Sequence, residues 1–108
     1  MRWTGTINLA TSRTLPQEGY HTANGNLSSI QMATSGLSGA TDFAVEVSLD
    51  GTGWDVARAN GTDITGQLTT GHTATAPYVE SFEFNPGIYW RVNFGGTTTG
   101  TIQYVILD

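Results

Sequence analysis

Residues 41 to 58, Thr-Asp-Phe-Ala-Val-Glu-Val-Ser-Leu-Asp-Gly-Thr-Gly-Trp-Asp-Val-Ala-Arg, decide the fold class, because apolar and polar side chains alternate on both sides of a glycine-containing turn. On a strand, side chains point to opposite faces with a period of two. Phe43, Val45, Val47 and Leu49 therefore share one face with Thr41, while Asp42, Ala44, Glu46 and Ser48 share the other, the half-buried pattern of an antiparallel sheet. Asp50-Gly51-Thr52-Gly53 supplies residues that tolerate positive φ in a hairpin turn. The register of this hairpin decides where Trp54 goes. A loop with an even number of residues sets Trp54 against Leu49 and continues the apolar face through Val56. A three-residue loop pairs Trp54 with Asp50 and turns the indole outward, since a one-residue slip flips every side chain. A large aromatic beside a row of Phe, Val and Leu is more often packing than binding, so the expectation is the even loop with Trp54 in the core.

Working outward, no segment reads as a helix: Gly and Thr recur, and the one helix-compatible stretch, at Gln17-Glu18, is bounded by Pro16 and Gly19. A first strand is expected over 3 to 10, with Trp3, Ile7 and Leu9 inward and Gly5 leaving room for close packing. Residues 11 to 25 are polar and turn-rich. In the strand at 26 to 34, Leu27, Ile30 and Met32 break parity, which predicts a bulge. A long Thr-, Gly- and Asp-rich connection over 60 to 77, with one short strand near 64 to 70, crosses between sheets. Tyr78 to Phe84 is the next strand, and Asn85-Pro86-Gly87 turns into the cleanest amphipathic one, Ile88, Trp90, Val92 and Phe94 in, Tyr89, Arg91 and Asn93 out.

The last strand, Thr101 to Leu107, is apolar on both parities and is therefore central or sheathed. If residues 95 to 100 close a hairpin of odd length, Val92 meets Ile102, Trp90 meets Tyr104 and Ile88 meets Ile106. An even loop sets Val92 against Gln103, so the odd one is expected. Val105 and Leu107 then lie outward beside Tyr89 and Arg91 as a contact surface. The whole reads as an all-β chain: a single antiparallel β-sandwich domain over 1 to 108, jelly-roll-like or immunoglobulin-like, with about seven to eight strands. Residues 1 to 25 are expected as an extended N-terminal arm or an edge strand.

Nine acids, four arginines and no lysine give a net charge of -5. Arg2, Arg13, Arg58 and Arg91 form no basic run, which argues against nucleic acid, whose binding rests on several cationic phosphate contacts. There is no cysteine, hence no disulfide frame or thiolate metal site. No apolar run reaches the roughly 18 residues of a membrane span and the N-terminus has no h-region, so synthesis in the cytoplasm and no membrane partner are expected. A surface built from Thr, Ser, Asn and Gly, with no lysine to guard strand edges, suits a chain whose edges or faces are covered by partners.

A catalytic set is missing. His21 and His72 lie in polar loops without a nucleophile motif or metal-ligand spacing and are expected to be solvated. Paired carboxylates across a concave sheet would require Glu46 to converge with Glu80 or Glu83; solvated acids on outer strand faces are the simpler expectation. Asp50, Asp55 and Asp63 do not match a calcium loop, and Asp-Gly already has a turn explanation. The expectation is a non-enzyme without cofactor or metal. A carbohydrate-binding surface needs outward aromatic rings, for which Tyr20, Tyr78 and Tyr89 are the candidates.

Val47-Ser48-Leu49-Asp50-Gly51-Thr52-Gly53-Trp54, then Gly87-Ile88-Tyr89-Trp90-Arg91-Val92-Asn93-Phe94 and the closing Gly100-Thr101-Ile102-Gln103-Tyr104-Val105-Ile106-Leu107, resemble small β-sandwich virion proteins of tailed bacteriophages. The likeness covers about the last two-thirds of the chain. It implies a virion structural protein of the capsid decoration or cement type. Such a protein is made in the host cytoplasm and located in the virion, forms a homo-oligomer such as a trimer, and binds the major capsid protein or other virion proteins. Contacts are expected at residues 11 to 25, including Tyr20, and along Tyr89, Arg91, Val105 and Leu107. The alternative is a carbohydrate- or receptor-binding module of a tail or head fibre.

Overall fold

The computed structural model describes residues 2–17, 19–96 and 98–108. Met1, Thr97 and Glu18, half of the helix-compatible pair, lie outside the described residues. All regular structure among them is β. The strands are β1 (Arg2–Asn8), β2 (Thr14–Leu15), β3 (His21–Thr22), β4 (Leu27–Ser35), β5 (Thr41–Ser48) and β6 (Asp55–Val56). They continue as β7 (Arg58–Ala59), β8 (Thr62–Asp63), β9 (Thr65–Leu68), β10 (Tyr78–Glu83), β11 (Tyr89–Phe94) and β12 (Thr101–Leu107). Twelve strands stand where seven or eight were expected; five of them are two-residue pairings.

All ladders are antiparallel. One sheet runs β1-β12-β4-β10; the other runs β2-β11-β5-β6, with β3 also on β11 and β9 also on β5, and β7-β8 is a separate small hairpin. Residues of both sheets enter one core: Ile7, Ile30, Met32, Phe82, Ile102 and Ile106 from the first, Leu15, Phe43, Val45, Leu68, Trp90, Val92 and Phe94 from the second. Two antiparallel sheets contributing to one core are compatible with a β-sandwich. Of residues 2 to 25, β1 forms one edge of the first sheet, and β2 and β3 pair with β11 in the second.

β12 is central, one of the two alternatives that its two apolar parities allow: Ile102 and Ile106 are fully buried, and its neighbours are β1 and β4. The expected β11-β12 hairpin does not form, because the two strands belong to different sheets. Each finds its apolar match elsewhere. Trp90, Val92 and Phe94 stand opposite Val47, Val45 and Phe43 of β5, and Ile102 and Ile106 stand opposite Ile7 and Trp3 of β1. The glycine- and threonine-rich connection after Phe94 leads from one sheet to the other.

The bulge expected in β4 is also absent. Its register with β10 and with β12 is unbroken, so Ser28, Ile30 and Met32 face inward and Leu27 is 69% exposed. The inward hydroxyl of Ser28 is satisfied by donating to Asp108 Oδ1 at 2.9 Å, which removes the cost of burying it.

Gly5 and Gly66 are places where a ring crosses a strand. A Cβ on Gly5 would lie 2.7 Å from Tyr104 Oη. On Gly66, opposite Phe43 in the β5-β9 ladder, it would lie 2.6 Å from Tyr78 Oη and 2.7 Å from Phe43 Cε1. These two rings pack edge to face at 5.1 Å. Gly66→Val should therefore force both rings out of place and cost about 1–3 kcal/mol. A urea midpoint unchanged by the substitution would show that the rings move freely.

Candidate functional site

The site begins with a register. β5 pairs with β6 as Glu46↔Val56 and Val47↔Asp55, and one more step sets Trp54 opposite Ser48, leaving an odd number of residues in the loop. The expected even loop with Trp54 in the core is therefore overturned. Leu49 is 88% exposed, and Trp54 is half-buried on the outer face. The cause is turn chemistry. Asp50 Oδ1 accepts from the Thr52 and Gly53 amides at 2.8 and 3.0 Å and from Ser48 Oγ at 3.0 Å, while Ser48 Oγ accepts from the Gly51 amide at 2.9 Å. These side-chain-to-backbone bonds close a five-residue loop and outweigh the pairing of Leu49 with Trp54. The Gly53 amide, then that of Thr52, then the Ser48 hydroxyl hold the Asp50 carboxyl below its ordinary pKa. Its contribution to the loop is thus present above that ordinary value and lost as pH falls through the lowered one.

On the same outer face, Arg91 of β11 stands opposite Glu46 of β5. Arg91 Nε donates to Glu46 Oε1 at 2.8 Å, with the two side chains only 25% and 16% exposed. The guanidinium carbon lies 4.1 Å from the Trp54 ring centroid, a cation–π stack that the planar group suits. Tyr20, from the segment between β2 and β3, completes the surface. Its ring centroid is 4.6 Å from that of Tyr89 and 5.7 Å from that of Trp54. Gly51, at φ 79°, lies beneath it, and a Cβ there would stand 3.1 Å from Tyr20 Oη. Tyr20, Trp54, Tyr89, Arg91 and Glu46 thus form one continuous aromatic and charged face.

Of the five residues expected at contacts, the structure brings together Tyr20, Tyr89 and Arg91. Val105 and Leu107 do not lie beside them; they are on the outer face of the other sheet, since β12 is not the neighbour of β11. There Val105 stands between Thr4 and Gln31, and Gln31 opposite Val79. Leu107 stands between Arg2 and Ser29. Val79 and Leu107 are 55% and 44% exposed. Arg2 and Glu83 are the charges that parity places on this face among the described residues. A shallow hollow of about 350 Å³, lined by Thr4, Thr6, Gln31, Gln103 and Val105 with Ala74 and Pro77 at its rim, indents it.

Trp54 and Glu46 are the members that sequence reasoning missed. The signal was present in Ser48 and Asp50, whose spacing permits the capped loop that turns the indole outward.

The groups weighed for chemistry are dispersed. Glu46 is on the second sheet, bonded to Arg91, whereas Glu80 and Glu83 are on β10 of the first. Glu80 accepts from Tyr78 Oη at 3.4 Å, and burial first, then the Glu80 charge, raises the Tyr78 pKa. Asp55 and Asp63 both bind Arg58 on the surface. His72 Nδ1 accepts from the Thr69 amide at 3.0 Å and its carbonyl from that of Thr34 at 2.8 Å, which makes it a structural loop residue. His21 departs from expectation: it is 8% exposed and lies in the core, not in a solvated loop. Among the described residues no group of three His, Asp or Glu could hold a metal ion, and no helix is long and apolar enough to cross a membrane.

Comparison of the chain with known protein families and with curated proteins finds no match in either.

Proposed function

We propose that this protein is a structural component of a tailed-phage virion, of the capsid decoration or cement type. It acts without catalysis as a homo-oligomer, a trimer in its simplest form. The observation that carries the reading is the outer face of the β1-β12-β4-β10 sheet. Val79, Val105 and Leu107 stand among Thr, Ser and Gln, with Arg2 and Glu83 at its two edges. Burying exposed apolar area stabilises a contact by about 25 cal/mol per Å², and an apolar, neutral face does so with little dependence on salt. Many such contacts repeated over a shell add through avidity, which is how a small domain resists expansion of a head.

The test is co-sedimentation with purified heads of the phage that encodes the chain, together with native mass. The unaltered protein should bind and raise the heat resistance of the heads. A double substitution Val79→Asp with Leu107→Asp should weaken binding about tenfold or more, since 1.4 kcal/mol is a factor of ten. A protein that never binds heads overturns the reading.

A second reading is favoured by one observation, the outward Trp54 beside Tyr20 and Tyr89. Such rings suit a glycan or receptor, as in a fibre module, although Arg91 already covers the Trp54 ring. Glycan binding lost on Tyr89→Ala, with no head binding, would select it.

A further inference from the structure

His21 packs against two indoles, with ring centroids 4.7 Å from Trp3 and 4.6 Å from Trp90, both rings tilted to its own. Its Nε2 is sealed from solvent and has no hydrogen-bond partner among the described residues. A buried polar nitrogen without a partner is costly, and a buried unpaired charge far more so. The strand that carries it is correspondingly slight. β3 pairs with β11 alone, as His21↔Trp90 and Thr22↔Tyr89, supported by Ala23 donating to Ile88 O at 2.8 Å. An open depression beside it is lined by Trp3, Tyr20, His21, Tyr104 and Asp108. The preceding residue in the chain, Tyr20, is the one that reaches over Trp54 and Tyr89.

We propose that residues 20–24 are an acid-sensitive latch on the aromatic face: the closed segment accepts only the neutral His21 imidazole, and protonation frees β3 from β11 and withdraws Tyr20 from Trp54 and Tyr89. The titratable groups that face His21 are Asp108, just beyond β12, Tyr104 of β12 and, on its own segment, Tyr20; no arginine lines the depression among the described residues. The Asp108 charge favours the imidazolium, but burial outweighs it and lowers the His21 pKa. The released segment therefore takes up a proton that the closed one refuses. Latch stability is complete above the ordinary histidine value, about 6.5, and falls with pH from there down to the lowered folded value. The latch operates whichever partner the face takes.

The test is amide hydrogen exchange and imidazole NMR on the unaltered chain from about pH 8 to about pH 5, the range in which histidine changes charge. The protection factor of the Ala23 amide should fall by up to about tenfold per pH unit in the window where one proton is linked to opening. The amides of Val45 and Ile106 should stay protected, and His21→Phe should abolish the effect while His72→Gln preserves it. Protection at Ala23 that is flat with pH, loss shared equally by β5 and β12, or a transition that survives His21→Phe would each overturn the latch. The first two are read on the unaltered chain, so they stand even where the Phe variant fails to fold.

Discussion

Trp90→Ala is expected to leave the chain at the edge of unfolding. The indole is fully buried, meets Phe82 edge-on at 4.9 Å and His21 at 4.6 Å, and lies on the strand that joins β2, β3 and β5 into one sheet. Removing a buried Trp costs about 3–5 kcal/mol through lost transfer energy and the cavity left behind. A domain of this size holds about 5–15 kcal/mol in total, so a large share of the stability goes with one side chain. His21 also loses one wall of its enclosure. Trp90→Phe should cost less, because the ring is partly kept and the indole Nε1, which has no partner among the described residues, is no longer buried unsatisfied. Urea unfolding followed by far-ultraviolet circular dichroism measures both. A loss below about 1 kcal/mol for Trp90→Ala, the scale of an ordinary surface change, would contradict this account of the core.

Arg91→Ala should be the most damaging change on the outer faces. It removes the Nε bond to Glu46 and the stack on Trp54 together, and it leaves a carboxylate only 16% exposed without its cation. Breaking a fully buried pair costs several kcal/mol; with this partial burial, about 1–3 kcal/mol is expected. Arg58 provides the contrast. It also bonds acids, Asp55 at 3.5 Å and Asp63 at 2.9 Å, but its side chain is 52% exposed, and exposed pairs contribute under about 1 kcal/mol. A double-mutant cycle of Arg91→Ala with Glu46→Gln should return a coupling above about 0.5 kcal/mol. Arg91→Lys should restore it only in part, since an ammonium attracts the indole face and the carboxylate but does not lie flat on the ring or offer the planar fork. If Arg91→Ala and Arg58→Ala prove equally mild, the face is not a coupled unit.

The alternation of β5, β11 and β12 was legible because parity is a local property: Phe43, Val45, Trp90, Val92, Ile102 and Ile106 are all buried where a period of two puts them. That Gly5 leaves room for close packing and that β12 is central or sheathed were legible for the same reason, but the ring over Gly5, Tyr104, and the choice of the central position came from the fold. Errors began where one strand had to be matched with another. Apolar-to-apolar matching favoured β11 beside β12, yet β5 and β1 satisfy the same matching equally well, and periodicity does not distinguish them. Hydrophobic pairing alone does not place Trp54, because the Ser48 and Asp50 hydrogen bonds set the loop length. His21 was misread because a polar neighbourhood in sequence does not reveal two indoles that arrive from residues 3 and 90.

The sequence by itself thus determined an all-β chain, the faces that β5, β11 and β12 bury, and a surface poor in charge, since each follows from side-chain order within a few residues. The tertiary structure alone decided that Tyr20, Trp54, Tyr89, Arg91 and Glu46 form one face, that Val105 and Leu107 belong to the other sheet, and that His21 is enclosed. Those relations depend on which strands become neighbours, a choice made by the simultaneous closure of a whole core and recorded in no single segment.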